Sequence, residues 1–258
     1  MGKIIAIANQ KGGVGKTTTA VNFCASLNHR DKKVLLVDCD PQGNATTGMG
    51  VQKTKAKTLY DIMFHDVPPE KAVVSTKYGS IIPATPDLAA ANVELVEVED
   101  REHTLRRCLE PLRKKFDYIV IDCPPSLELL TINALSASDS VLIPVQCEFY
   151  ALEGLTDLTR TIRALRQRIN PALDIEGLVL TMYDKRNNLS IEVEETLKKH
   201  FPGKVYENVI PRNVRLSEAP SHGKPCLGYD KSSKGTKAYL HMTSEFLKRQ
   251  KREGKKNG

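Results

Sequence analysis

The chain has 258 residues, 40% of them hydrophobic, and its 38 lysines and arginines exceed 31 acidic residues, for a net charge of +7. That length can bury one sizeable core, and a single domain is expected over residues 1–247. Six cysteines without a C-x-x-C pair, a five-residue apolar start and no run of membrane-spanning length exclude a disulfide scaffold, a secreted protein and a transmembrane protein; the expected setting is cytoplasmic.

The first predicted strand, Ile4-Ile5-Ala6-Ile7-Ala8, runs into Lys11-Gly-Gly-Val-Gly-Lys-Thr-Thr18. An ordinary phosphate loop reads G-x-x-x-x-G-K-[ST]; here Gln10 stands where the first glycine would, and Lys11 is an additional lysine. A helix starting near Lys16 aims its free N–H groups and positive dipole end at an anion. Gly12, Gly13, Val14, Gly15, Lys16, Thr17 and Thr18 are therefore expected to bind phosphate, with Lys16 on the β/γ-phosphates and the Thr17 hydroxyl on Mg²⁺. Lys11 lies on the wrong side of the loop to duplicate Lys16, and the residues alone leave it without a task.

Ala20, Val21, Phe23, Cys24 and Leu27 recur at helical spacing, and Val34-Leu35-Leu36-Val37 is a continuous apolar run of the kind buried on both faces in a parallel sheet. Further strands are predicted at 80–82, 118–121, 141–145, 178–180 and 205–209. Helices are predicted at 86–98, 104–115, 127–135, 151–168, 191–199 and 237–249. This alternation predicts an α/β fold, a doubly wound and mostly parallel sheet with helices on both faces. The last eleven residues, 248–258, hold six basic residues against Glu253, and a flexible basic tail is expected there.

Chemistry in such sheets collects at the carboxyl ends of strands. The second strand ends in Asp38-Cys39-Asp40-Pro41, and the strand from Tyr118 ends in Asp122-Cys123-Pro124-Pro125. Acidic strand ends beside a phosphate loop point to a nucleotide hydrolase that uses a metal ion. Asp122 is expected to hold Mg²⁺ or its waters, Asp40 to orient the attacking water, and Asp38 to brace the loop and the Mg²⁺ waters.

Asn9-Gln-Lys-Gly-Gly-Val-Gly-Lys-Thr-Thr18, Leu36-Val-Asp-Cys-Asp-Pro-Gln-Gly-Asn44, Ile121-Asp-Cys-Pro-Pro-Ser126 and Val209-Ile-Pro-Arg-Asn-Val-Arg-Leu-Ser-Glu-Ala-Pro-Ser-His-Gly-Lys224 together resemble the ParA family of partitioning ATPases, in its Soj-like branch of the deviant Walker A superfamily. The resemblance spans nearly the whole chain and implies a P-loop NTPase that hydrolyses ATP with Mg²⁺. It gives Lys11 a task, reaching the phosphates held by the other subunit of a nucleotide-sandwich homodimer, and it places Gly12 where two backbones approach. It implies that Met182, Pro211 and Arg212 flank adenine. It also implies that the ATP dimer binds double-stranded DNA without sequence preference through Arg186 and Arg215, with Lys185 and Lys224 as further basic contacts. A ParB-like centromere-binding protein is the implied partner, and nucleoid association the implied location.

The main alternative is a MinD-like protein that uses a membrane as its surface. Tyr239, Leu240, Thr243, Phe246 and Leu247 fall at helical spacing ahead of the basic tail, as an interfacial helix would have them. The same spacing suits a last helix packed on the sheet, and the motifs along the whole chain favour that reading, so a membrane partner is not expected. An iron–sulfur role is disfavoured because Cys39 and Cys123 lie inside the Walker-type motifs.

Overall fold

The computed structural model describes residues 1–53, 56–148 and 151–256. Its strands are β1 (Lys3–Ile7), β2 (Val34–Asp38), β3 (Val74–Thr76), β4 (Gly79–Ile82), β5 (Tyr118–Asp122), β6 (Ser140–Gln146) and β7 (Asp174–Thr181). They form one sheet in the order β3-β4-β2-β5-β1-β6-β7, parallel except for the β3–β4 hairpin. The helices are α1 (Lys16–Asn28), α2 (Asn44–Gly48), α3 (Leu59–Phe64), α4 (Ala91–Glu94), α5 (Thr104–Leu109), α6 (Leu129–Ala137), α7 (Ala151–Arg168), α8 (Asn188–His200), α9 (Val214–Glu218), α10 (Cys226–Tyr229) and α11 (Lys234–Lys256).

The apolar runs alternate between two cores because successive strand residues point to opposite faces. Ile4, Ala6, Leu35, Val37, Ile119 and Ile121 pack under α5–α8. Ile5, Ile7, Leu36, Val120 and Leu142 meet Phe23 and Leu27 of α1 and Met242 and Phe246 of α11. The Phe23 and Phe246 rings meet edge to face at 5.0 Å. Most of the stripe that could have entered a membrane is thus covered: Tyr239, Thr243 and Phe246 are 1% exposed or less, and Leu240 and Leu247 are half-buried. No helix among the described residues is long and apolar enough to cross a membrane.

Register brings the chemistry together. Asp38 pairs with Asp122 across β2 and β5, and Asp122 pairs with Ile7 across β5 and β1, so both carboxylates emerge where β1 turns into the phosphate loop. Pro144 sits inside β6 without breaking it, because β1 pairs with β6 only as far as Leu142 and no ladder acceptor on that side needs the missing N–H. Its carbonyl instead accepts the Asn9 amide at 2.7 Å.

Four predicted elements differ. Residues 205–209 form no strand: Val205 makes one isolated bridge to Leu178, after which the N–H groups of Glu207 and Asn208 turn to the Glu245 carboxylate of α11, at 3.1 and 3.0 Å. The helix predicted over 86–98 is a 3₁₀–α–3₁₀ succession whose first segment begins at Pro86. The helix predicted over 104–115 is α only to Leu109, since Pro111 lacks the donor that would continue it. The last helix runs on to Lys256, so most of the basic segment extends α11; residues 257 and 258 lie outside the described residues.

Candidate functional site

Gly13 and Gly15 take φ of 76° and 87°, left-handed values that suit glycine and wrap the loop over the start of α1. Gly15 caps that helix without a side-chain acceptor, and no acidic residue lies in its first turn, so its first N–H groups face an anion position. The Thr181 hydroxyl, from the end of β7, donates to the Val14 carbonyl at 2.8 Å and pins the loop to the sheet. Asn9 supplies a second brace by accepting the Lys11 N–H at 3.0 Å. Gly12 has no such constraint within the chain: a methyl group there would have no heavy atom within 4 Å.

Lys16 is 7% exposed, and its ammonium donates to the Lys11 carbonyl at 3.1 Å. Burial draws its pKa down, against the pull of Asp122, Cys123 and Asp40. The Lys11 side chain points away from this centre and pairs with Glu148, just beyond β6. Within one chain, then, the two lysines of the loop serve different sites.

The three strand-end carboxylates are not equivalent. Asp38 is fully buried and accepts the N–H and hydroxyl of Thr46 at 2.7 and 2.6 Å, and the Asp40 N–H at 3.3 Å. Thr46 in turn accepts the Ala84 N–H, so Asp38 ties α2 to the end of β4. Burial still raises its pKa to about 6. Asp40 is 9% exposed and accepts the Gln42 N–H at 2.9 Å, which fixes the loop leaving β2. Neither oxygen of the buried Asp122 accepts a hydrogen bond of good geometry among the described residues. Burial and then Asp38 push its pKa well up, while the neighbouring Thr17 hydroxyl and Lys16 oppose this.

A buried carboxylate this short of donors calls for a cation. Asp122 beside Thr17 and the open start of α1 therefore fits a hard divalent ion whose remaining ligands are phosphate oxygens and water. No group of three or more His, Cys, Asp or Glu among the described residues could hold a metal by itself. All six cysteines are free, and burial raises the thiol pKa of Cys39 and Cys123, as expected of small core residues.

Met182, Pro211 and Arg212 come together with Gly15, Thr18 and Thr181 around a cavity of about 260 Å³. The Ile210 N–H donates to the Leu180 carbonyl near the end of β7 at 2.8 Å and the Ile210 carbonyl accepts the Tyr183 N–H at 3.0 Å, which closes the cavity wall. Met182 is held at φ 50°, a strained value for a non-glycine residue of the kind found at ligand sites. A larger groove of about 840 Å³ between α11 and the loop after α8 includes none of the site residues.

The four basic positions behave differently. Arg186 forms a two-point pair with Asp184 at 3.1 and 2.8 Å, and Arg215 pairs with Glu218 at 2.8 Å and Asp230 at 3.5 Å. Lys185 and Lys224 are exposed. The sequence reading missed Thr46, Glu148 and Thr181. Of these, only Thr181 had a local signal, as the polar end of an apolar strand next to Met182.

The sequence matches the family described as "AAA domain" over residues 2–175. It is 57% identical to the sporulation initiation inhibitor protein Soj of Bacillus subtilis (strain 168), covering 95% of this chain and 98% of the relative. It is 52% identical to the chromosome partitioning protein ParA of Myxococcus xanthus (strain DK1622), covering 96% and 89%. Among solved structures, cobyrinic acid a,c-diamide synthase from Mycobacterium smegmatis with bound ADP and magnesium aligns with a TM-score of 0.85 and 37% identity, covering 97% of this chain and 96% of that one. Similarity of this extent, together with the strand-end carboxylates and the two-lysine loop, assigns the chain to the ParA/Soj family of chromosome-partitioning proteins.

Proposed function

We propose that the chain is an ATP-dependent switch for chromosome or plasmid partitioning. It binds ATP and Mg²⁺, closes into a homodimer, binds double-stranded DNA without sequence preference as that dimer, and hydrolyses ATP when a ParB-like centromere-binding protein engages it. The observation that carries the nucleotide part is the buried Asp122 carboxylate, with no donor but the Thr17 hydroxyl beside it among the described residues, next to the uncapped start of α1. A bound Mg²⁺ supplies charge that neutralises phosphate oxygens, and Thr17 and Asp122 are the residues that would hold it, with Asp38 behind them.

Lys16 and the loop N–H groups hold the phosphates, and the cavity bounded by Met182, Pro211 and Arg212 takes the base. Asp40 orients water and accepts its proton late in the reaction. Lys11 leaves Glu148 to reach the phosphates of the second subunit, so the site is complete only in the dimer. Dimerisation doubles the basic surface, which makes DNA affinity steeply dependent on nucleotide and salt. Such a protein is cytoplasmic and nucleoid-associated. The covered face of α11 argues against the membrane reading.

DNA retention by the wild type and Asp40→Ala, with ATP, ADP or no nucleotide at two salt concentrations, tests this reading. The wild type is expected on DNA only with ATP, and Asp40→Ala to stay there. Wild-type hydrolysis by Asp40→Ala overturns the catalytic assignment. DNA retention indifferent to ATP, together with ATP-dependent sedimentation with liposomes, supports the membrane reading instead.

A further inference from the structure

Tyr239 is the only residue of the long last helix among those lining the cavity assigned to the base. It is 1% exposed, and its hydroxyl shares a hydrogen bond of 3.0 Å with the hydroxyl of Thr19, a fully buried residue of α1. Thr19 also donates its N–H to the Gly15 carbonyl at 2.8 Å. One residue of α1 thus links Tyr239 to the glycine that caps the helix and lines the same cavity. A buried tyrosine hydroxyl takes a partner wherever it lies, so the bond alone says little. Its place between two helices says more.

Much of the contact between α1 and α11 is apolar, as where Phe23 meets Phe246. Apolar contact is non-directional and lets helices slide, whereas a hydroxyl pair holds at one register only. The start of α11 is seated on another wall of the cavity: a methyl group on Gly235 would lie 2.7 Å from Cγ of Leu216, itself a lining residue. Asn22 supplies a second clamp. Its side-chain amide donates to the Thr18 carbonyl at 2.8 Å, and its side-chain oxygen accepts the N–H of Cys226, at the start of α10, at 2.8 Å. The segment α9–α11 is therefore tied to the first two turns of α1, the part of the helix that carries Lys16 and Thr17.

We propose that Tyr239 is a positioning residue for the nucleotide: held by Thr19, it fixes the distance between the base cavity and the phosphate loop. The inference rests on the proposed ATP-binding function and gives α11 a part in it. Without the hydroxyl pair the Tyr239 wall is free to shift along α1, while the loop, braced by Thr181 and Asn9, keeps its form. Base and phosphate subsites then no longer stand at a set separation, and the preorganisation that lets the base add to affinity is lost.

Tyr239→Phe keeps the ring and removes the hydroxyl. Calorimetry with ATP and with inorganic tripolyphosphate, each with Mg²⁺, separates the two subsites, because tripolyphosphate reaches the phosphate loop alone. ATP affinity is expected to fall about fivefold, as for the loss of one hydrogen bond, with tripolyphosphate affinity unchanged. Thr19→Val is expected to show the same loss, and Thr19→Ser to keep the wild-type ratio of the two affinities. Tyr239→Phe/Thr19→Val is expected to lose no more than either alone, since both changes cut one bond. A wild-type ratio in Tyr239→Phe, whatever its Tm, reduces the pair to core packing and overturns the inference, as do losses that add in the double variant. Should Tyr239→Phe not fold, Thr19→Val against Thr19→Ser makes the same comparison. If the wild type binds ATP no more tightly than tripolyphosphate, the base cavity and this inference fall while the phosphate site stands; if it binds neither, the proposed function falls with them.

Discussion

Asp122→Asn is expected to stabilise the ligand-free protein. The carboxylate is fully buried, only the neighbouring Thr17 hydroxyl stands beside it as a donor among the described residues, and Asp38 stands opposite it in register. An unsatisfied buried polar group costs about 1–3 kcal/mol, and more when charged. Asparagine keeps the shape and removes the charge, so a gain of about 2 kcal/mol is expected, equivalent to roughly 4–8 °C in Tm for a chain of this size. The pH dependence follows from the direction of the shift. Burial and Asp38 raise the Asp122 pKa, so the folded state holds a proton that the unfolded state has released, and wild-type stability from this group falls as pH rises above the ordinary aspartate value. The advantage of asparagine should therefore vanish near pH 4 and grow towards neutrality. Thermal and urea unfolding in EDTA at several pH values measures it, and repeating the scans with ADP and with ADP plus Mg²⁺ tests the metal role. In the wild type Mg²⁺ should add stability beyond that from ADP; in the variant that increment should be largely lost. A variant less stable than wild type in EDTA at neutral pH, or one with the full Mg²⁺ increment, would refute the reasoning.

Gly12→Val should fold and bind ATP normally, because nothing in the chain fills the space beside Gly12, yet fail to dimerise by sedimentation velocity; normal dimerisation would remove the case for a close approach there. Glu148→Gln releases Lys11 from a partly exposed pair worth about 0–1 kcal/mol, so ATP-dependent dimerisation should tighten by up to about fivefold in analytical ultracentrifugation, and weaker dimerisation would show that Glu148 assists the dimer instead. Thr181→Val preserves shape but removes the donor to Val14, a bond worth about 1 kcal/mol, so ATP affinity by calorimetry should fall about fivefold with little change in Tm. Unchanged affinity would mean that the loop holds its shape without this brace.

Much of the site was legible because its determinants are local. A glycine-rich turn between a strand and a helix must present N–H groups to an anion, and an apolar strand ending in aspartate must deliver that carboxylate to the top of a parallel sheet, whatever surrounds them. The loop, Asp40 and Asp122 were named on that basis, and Met182, Pro211 and Arg212 through family resemblance. The cavity that gathers those last three depends on the bonding of Tyr183 and Ile210 to each other and to β7. Elements failed where distant residues competed for the backbone: 205–209 had strand composition, but Glu245 on α11 took its N–H groups.

The amino-acid sequence by itself determined the parallel sheet, the phosphate loop and the set of acidic strand ends, since hydrophobic period and turn chemistry act over a few residues. Only the tertiary structure decided how those groups divide the work. Asp38 and Asp122 both end apolar strands, yet one is satisfied by Thr46 while the other has only the Thr17 hydroxyl beside it among the described residues. Lys11 and Lys16 lie five residues apart in one loop, yet one is buried over the carboxylates and the other rests on Glu148 at the surface. Partners brought from far along the chain make that difference, and no local pattern encodes them.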